Sequence, residues 1–122
     1  MSSRINPTEP AEGYPSTLVH DEIGELQETH AAEFIALTEA IHTETQRRIL
    51  YGLVDCLGDA SYVELDKYTT VSRRSLRKHL SRLEEKDIVD RRDANFGLVA
   101  FSSHEVKALT QHLLYCYEEK HY

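Results

Sequence analysis

Hydrophobic residues in the first half of the chain recur at intervals of three and four, which is the spacing of one face of an α-helix. One such stripe, over residues 23–41, predicts a single helix of roughly 20 residues. A second stripe, over residues 49–57, predicts another helix, with Thr43 and Gln46 as its capping box and Gly58 after its end. All three prolines lie before this pattern begins, so residues 1–20 are predicted to be a flexible tail.

Two shorter helical patterns follow. Ser61 and Glu64 have the spacing of a capping box and predict a short helix that ends near residues 69–70. Ser72 is the predicted N-cap of the next helix, which covers residues 72–86. The leucines at positions 76, 80 and 83 share one face of that helix, so we expect them in the core and the remaining side chains on its outer surface.

The period of the pattern changes near residue 88. Strand-forming residues at 88–89 and 98–101 flank a turn that contains Asn95 and Gly97, which predicts a β-hairpin. Ser102 and its neighbours 103–105 then form a third predicted capping box, with Ser102 as the N-cap. An apolar stripe over residues 106–117 predicts the closing helix.

The order of these elements predicts a mainly α-helical fold with a small β-hairpin. Three compact helices followed by a two-stranded hairpin form the winged helix-turn-helix arrangement, here with extra N- and C-terminal helices. In that arrangement the recognition helix is 72–86 and the wing is 88–101. The four predicted segments are a flexible tail (1–20), an N-terminal helix (21–42), a winged helix-turn-helix DNA-binding domain (43–101) and a C-terminal dimerisation helix (102–122).

Positive charge is concentrated in the predicted recognition helix and wing. The chain has 14 Lys and Arg against 21 Asp and Glu, a net charge of −7, yet residues 72–92 hold eight Lys and Arg against four Asp and Glu. Arg73 and Arg77 are four positions apart, as are Arg74 and Lys78, so like charges on adjacent turns repel one another. A polyanion that neutralises these charges is the usual reason for such a helix, and duplex DNA is the predicted partner.

The side chains predicted to contact DNA lie on the recognition helix, just before it and in the wing. Arginine binds guanine edges through two hydrogen bonds, and arginine and lysine both neutralise phosphates. Arg73, Arg74 and Arg77 lie nearest the N-terminus of the helix and are assigned to bases. Arg91 and Arg92 are expected near the tip of the hairpin and, with Lys78, are assigned to phosphates. The full predicted DNA-binding set is Thr69, Thr70, Ser72, Arg73, Arg74, Ser75, Arg77, Lys78, Arg82, Arg91, Arg92 and Asn95.

Two other interpretations of the basic face stay open. The first is a solvated surface, since runs of charge usually face water. The second is a winged-helix module that binds another protein and does not contact DNA. Such a module would present apolar or aromatic residues at the exposed positions of the recognition helix, where this chain has basic and hydroxyl residues.

Residues 43–101 resemble the ArsR/PadR-type winged helix-turn-helix transcriptional regulators of archaea. The resemblance rests on the sequence VSRRSLRKHLSRLEEKDIV at 71–89, on the Tyr-Val-Glu-Leu run at 62–65 and on the hairpin. The acidic flanks, with nine arginines against five lysines, make the chain most similar to haloarchaeal members. The resemblance implies a transcriptional regulator. The acidic ends, the net charge of −7 and the preference for arginine suggest a protein that works at high internal salt. A known member of similar size responds to reactive oxygen species, so a response to oxidative stress is a further expectation.

The sequence argues against an enzyme and against a membrane protein. It has no Gly-rich phosphate loop and no common hydrolase or zinc-protease motif, and we expect no cofactor. No apolar run approaches the roughly 18 residues of a membrane span. The two cysteines do not form a disulfide scaffold, so the expected location is the cytoplasm, with reduced thiols.

The closing helix carries two further candidates. His112 and Cys116 have the spacing of helical metal ligands, but no tight ligand motif surrounds them and no metal site is predicted. Cys116 is the candidate for a redox-sensitive thiol, because its helix is expected to lie near a partner subunit. Leu114, Tyr115 and Tyr117 widen the apolar stripe beyond what one neighbouring helix covers, which predicts a homodimer built on the terminal helices.

Overall fold

The computed structural model describes residues 20–93 and 97–121, so the predicted tail before His20 and the turn residue Asn95 lie outside the described residues. The described part is mainly helical, with a small antiparallel sheet. Its elements are α1 (His20–Thr29), α2 (Ala31–Ile41), α3 (Glu44–Asp55), β1 (Asp59–Ser61), α4 (Tyr62–Leu65), α5 (Arg73–Glu85), β2 (Val89–Asp93), β3 (Leu98–Phe101) and α6 (His104–His121).

The predicted N-terminal helix is two helices, α1 and α2, which meet at His30. The backbone of His30 has φ −121° and ψ 47°, outside the helical range. The hydrogen bonds around it are kept, because the His30 N–H donates to the Leu26 carbonyl and the Phe34 N–H donates to the His30 carbonyl. The prediction of one helix over 21–42 is therefore wrong at this residue. The apolar stripe continues across the junction, and periodicity does not register the break.

A serine hydroxyl caps the N-terminus of each of three later helices, α4, α5 and α6. Ser61 and Ser72 cap α4 and α5 as predicted, and Ser61 also completes its capping box with Glu64. The prediction for α6 is wrong by one residue. The Ser103 hydroxyl caps this helix, whereas the Ser102 hydroxyl donates to a backbone carbonyl in the turn before β2.

The capping box predicted at the start of α3 is absent. Thr43 occupies the N-cap position, but its hydroxyl donates back to the Glu39 carbonyl, 3.3 Å away, and caps nothing in α3. The Gln46 side chain does not turn back to the N-cap, because its amide lies 3.2 Å from Nδ1 of His79 on α5. This contact instead joins α3 to the predicted recognition helix.

The sheet has three antiparallel strands in the order β1-β3-β2. Strands β2 and β3 are the predicted hairpin, and β1 was not predicted, since its three residues are too few to show a period. Val89 lies opposite Phe101 and Arg91 opposite Val99, and the register shifts between Arg91 and Asp93. Arg91 and Arg92 therefore lie in the last three residues of β2, near the end of the strand that leads into the turn of the hairpin.

Two sharp turns lead from helices into the sheet. Leu57 after α3 and Asp87 after α5 both have left-handed backbones, with φ of 64° and 61°. In each turn the next N–H bonds back to a carbonyl of the last helical turn: Gly58 to Leu53 after α3, and Ile88 to Leu83 after α5. These turns bring β1 and β2 directly beside the helices that precede them.

The core lies between the helices and the inner face of the sheet. Leu76, Leu80 and Leu83 of α5 are fully buried, as their spacing predicts. Helix α6 packs mainly against α2, with further contacts to α1 and α3. Leu114 is only 3% exposed within the single chain, so the prediction that it widens an uncovered stripe on α6 is wrong. The Tyr117 ring is also covered in part by its own chain, because the Arg47 guanidinium lies 4.5 Å from the ring centroid.

Candidate nucleic-acid interface

Helix α5 presents a basic outer face because its apolar residues are confined to one side. Its 13 residues give it a length of about 20 Å. Its three leucines face the core, and no acidic residue lies in its first turn. The exposed large hydrophobic residues in the described part of the chain are Ile35, Leu57 and Val63, which lie outside α5. The face that remains is therefore polar and positively charged.

A shallow groove of about 570 Å³ runs along this face. Arg74, Arg77 and Lys78 are exposed there, and no carboxylate among the side chains that the structure describes lies within 4.0 Å of their charged groups. Three adjacent cations without counter-charges create a strong local field on a chain of net charge −7. The groove is lined by Ser72, Arg74, Ser75, Arg77, Lys78 and Ser81.

Arg73 is held at the edge of this face. Its guanidinium donates to the Asp66 carboxylate at 2.5 Å. The same guanidinium lies 5.6 Å from the centroid of the Tyr62 ring, within the range of a cation–π contact. Arg73 is thus the one of the three predicted base-reading arginines that has an acidic partner in the described structure.

Arg91 belongs to the scaffold of the site. Its Nη2 donates to Oε1 of Glu84 at 2.7 Å and to the Ser81 hydroxyl at 3.1 Å, so it ties β2 to α5. The hydrogen bond to Glu84, with a smaller contribution from Tyr62, raises the pKa of Arg91 against the opposing effect of partial burial. Glu84 offsets this charge, and the ion pair gives Arg91 a structural role between β2 and α5 that the sequence did not predict.

Tyr62 is the aromatic residue that connects these elements, and sequence reasoning did not assign it to the site. Its ring contacts Arg73 and also Arg77, whose guanidinium carbon lies 5.9 Å from the ring centroid. Its backbone N–H donates to the Gly97 carbonyl at 2.8 Å. In sequence, Tyr62 is only the first residue of a short helix, and its contacts come from residues 11 to 35 positions away.

The hydroxyl residues before α5 have different surroundings. Thr69 is only 8% exposed, and its Oγ1 is the buried side-chain oxygen without a hydrogen-bond partner among the described residues. Its predicted role in DNA binding is therefore disfavoured, because the hydroxyl does not reach the surface. Thr70 is exposed, and Ser72 uses its hydroxyl to cap the Ser75 N–H.

Arg82 and Arg92, two other predicted DNA contacts, do not line this groove. Arg82 is exposed but lines a second hollow of about 200 Å³, which is bordered by α2, α3 and the end of α5. Arg92 is exposed on β2, and Asn95 lies outside the described residues. His79 is half-buried against Gln46, and burial, followed by the charges of Arg82 and Lys78, lowers the pKa of His79.

Cys116 on α6 has the properties of an ordinary thiol. It is exposed, and its Sγ lies 3.6 Å from Nε2 of His112. Partial desolvation and then the charge of Glu119 raise the pKa of the Cys116 thiol, which reduces the thiolate that oxidants attack. In the described part of the chain, no group of three or more His, Cys, Asp or Glu side chains is arranged to hold a metal ion.

No described helix has both the length and the apolar character needed to cross a bilayer. Comparison of the chain with protein-family models, curated proteins and solved structures found no match.

Proposed function

We propose that this protein is a sequence-specific, duplex-DNA-binding transcriptional regulator with a winged helix-turn-helix domain. In this proposal α5 enters the major groove, and the β2–β3 hairpin is the wing that lies on the backbone or in the minor groove. The observation that carries the proposal is the cluster of exposed cations Arg74, Arg77 and Lys78 on the outer face of α5, which have no carboxylate partner among the described side chains.

The arrangement of elements supports this proposal. Helix α5 follows a short helix and a turn and is followed directly by an antiparallel hairpin, which is the order of the winged helix-turn-helix arrangement. A helix of about 20 Å with short polar side chains at Ser72, Ser75 and Ser81 suits a groove about 12 Å wide. Arginine and lysine at its centre supply donors to base edges and charge to phosphates.

The contacts around α5 divide the predicted residues by role. Arg74 and Arg77, together with Arg73 at the edge, are proposed to contact bases. Lys78 and Arg92 are proposed to contact phosphates, since both are exposed cations. Arg91 is proposed to hold the wing against α5 through Glu84, which replaces the phosphate contact expected from the sequence.

We further propose that the regulator binds as a homodimer. Ile35, 60% exposed on α2, and Cys116, exposed on α6, lie on the terminal helices that would form the dimer interface. Two recognition helices related by a two-fold axis would contact half-sites one helical turn, about 34 Å, apart. Light scattering at working salt gives the test: a mass of twice 14.0 kDa is expected, and a monomer contradicts the dimer.

Selection of bound duplexes from a random library tests the proposed function. We expect enrichment of an inverted repeat with half-sites about 10 base pairs apart. A variant with Arg74→Ala and Lys78→Ala should lose the enrichment while its circular dichroism spectrum stays unchanged, because both side chains are exposed. If the unmodified protein enriches no sequence and binds a protein partner through α5, the protein-interaction alternative is correct.

A further inference from the structure

The face of Tyr62 is the meeting point of the wing and two arginines of α5. The hairpin fixes Tyr62 on one side. The backbone N–H of Tyr62 donates to the Gly97 carbonyl, and a Cβ added at Gly97 would lie 2.8 Å from Cγ of the Tyr62 ring. The guanidinium carbons of Arg73 and Arg77 lie 5.6 and 5.9 Å from the ring centroid. A half-buried aromatic ring in contact with two cations needs an explanation beyond core packing.

Arg73 and Arg77 lie four positions apart on α5 and repel each other. The negative face of an aromatic ring attracts guanidinium groups, so the ring offsets this repulsion while leaving both arginines charged. Asp66 lies one helical turn after Tyr62 and holds the far end of the Arg73 side chain. Tyr62 and Asp66 therefore restrict the conformations of Arg73, and Tyr62 restricts those of Arg77.

We propose that Tyr62 is a positioning residue for sequence recognition: its ring packs against the wing and orients the side chains of Arg73 and Arg77. This inference rests on the proposed DNA-binding function, and it explains how the wing and the recognition helix act as one unit. Side chains ordered before binding lose less conformational entropy when they contact bases. The gain in affinity is largest for the correct DNA sequence, because only its bases lie where both oriented arginines can contact them.

The first test uses the free protein and needs no DNA. Side-chain ¹⁵N relaxation at Nε measures the order of individual arginines. Arg73 and Arg77 should be more ordered than Arg74, which has no aromatic or acidic partner in the described structure. Tyr62→Leu should lower the order of Arg77 to that of Arg74 and lower the order of Arg73 in part, since Asp66 still holds it, and Tyr62→Phe should keep the order of both. Equal mobility of all three arginines in the unmodified protein overturns the proposal even if Tyr62→Leu does not fold.

The second test compares affinities for the selected duplex and for a scrambled duplex. Tyr62→Leu should weaken binding to the selected duplex about tenfold, as expected when two arginine side chains must become ordered on binding, and change binding to the scrambled duplex less than about twofold. Tyr62→Phe should retain the selectivity of the unmodified protein for the selected duplex, because it keeps the aromatic ring. Val63→Ala is the matched control, since Val63 is the neighbouring exposed residue on α4.

The outcomes separate the two proposals. If Tyr62→Leu binds the selected duplex as well as the unmodified protein does, or loses affinity equally for both duplexes, Tyr62 does not position the arginines for recognition. If the unmodified protein binds no duplex, the proposed function fails, and the relaxation measurement still decides whether Tyr62 orders Arg73 and Arg77.

Discussion

Gly97 and Tyr62 are packed so closely that no side chain fits between them. A Cβ at Gly97 would lie 2.8 Å from Cγ of Tyr62, and real Cβ atoms do not come that close to a ring carbon. Gly97 also has a φ of 63°, in the left-handed region that favours glycine. The hairpin is thus seated directly on the ring that Arg73 and Arg77 contact.

Gly97→Ala is expected to destabilise the protein by about 1–3 kcal/mol, from left-handed backbone strain and overpacking against Tyr62. Urea unfolding measures the change. Gly24→Ala is the matched control: Gly24 lies inside α1 with nothing within 4 Å of its added Cβ, so this change should stabilise by about 0.5–1 kcal/mol. A Gly97→Ala protein as stable as the unmodified chain would show that the ring is free to move away.

The leucine face of α5 and the hydroxyl caps of α4 and α5 were predictable from sequence, because local spacing determines them. The hairpin was predictable in outline from its strand-forming residues. The ion pair of Arg91 with Glu84 and the contacts of Tyr62 were not. These depend on which side chains tertiary packing brings together, and a periodic pattern records which residues are buried but not which ones touch.

The same limit explains the errors at Thr69 and in α1–α2. Thr69 lies in a polar stretch that is typical of an exposed turn, yet packing leaves it only 8% exposed. His30 lies on the apolar stripe, so the stripe runs through the helix break. The homodimer prediction used the breadth of the α6 stripe, part of which its own chain covers at Leu114.

Thr69→Val is expected to stabilise the protein by about 1 kcal/mol. The buried Oγ1 of Thr69 has no partner among the described residues, and valine has nearly the same shape without the desolvation cost. Thr70→Val, at the exposed neighbouring position, should change stability by less than about 0.5 kcal/mol. Thermal unfolding measures both. DNA affinity should stay the same in Thr69→Val, and a loss of either stability or affinity would contradict the buried, non-contacting placement.

His79 should make stability depend on pH. Its pKa is lowered in the folded protein below the ordinary value of 6.5, by burial first and then by Arg82 and Lys78. Below pH 6.5 the unfolded chain binds more protons at this residue, so the free energy of unfolding falls as the solution is acidified. The contribution is complete above pH 6.5 and is lost as the pH falls toward the folded-state value.

His79→Gln removes this titration and should therefore lose less stability than the unmodified protein between about pH 7.5 and pH 5.5. Urea unfolding at several pH values in that window measures the difference. Parallel pH curves for the two proteins would mean that the folded and unfolded states bind protons at His79 alike.

Arg74, Arg77 and Lys78 are proposed to form the surface that contacts DNA. Fluorescence anisotropy of a labelled duplex at several KCl concentrations gives the slope of log affinity against log salt, which falls by about 0.9 for each phosphate that a cation neutralises. The variant with all three residues changed to Ala should keep its fold, lose affinity and show a slope flatter by about one per chain, because Lys78 is the one of the three that is assigned to a phosphate.

A matched variant removes the same amount of positive charge away from α5 and should keep the slope of the unmodified protein. Flattening confined to the α5 variant is the result that the proposed interface predicts. Equal slopes in the two variants, or no affinity of the unmodified protein for duplex DNA at the lowest salt, would contradict it. The matched changes are Arg48→Ala, Lys67→Ala and Lys120→Ala, all at exposed positions outside α5.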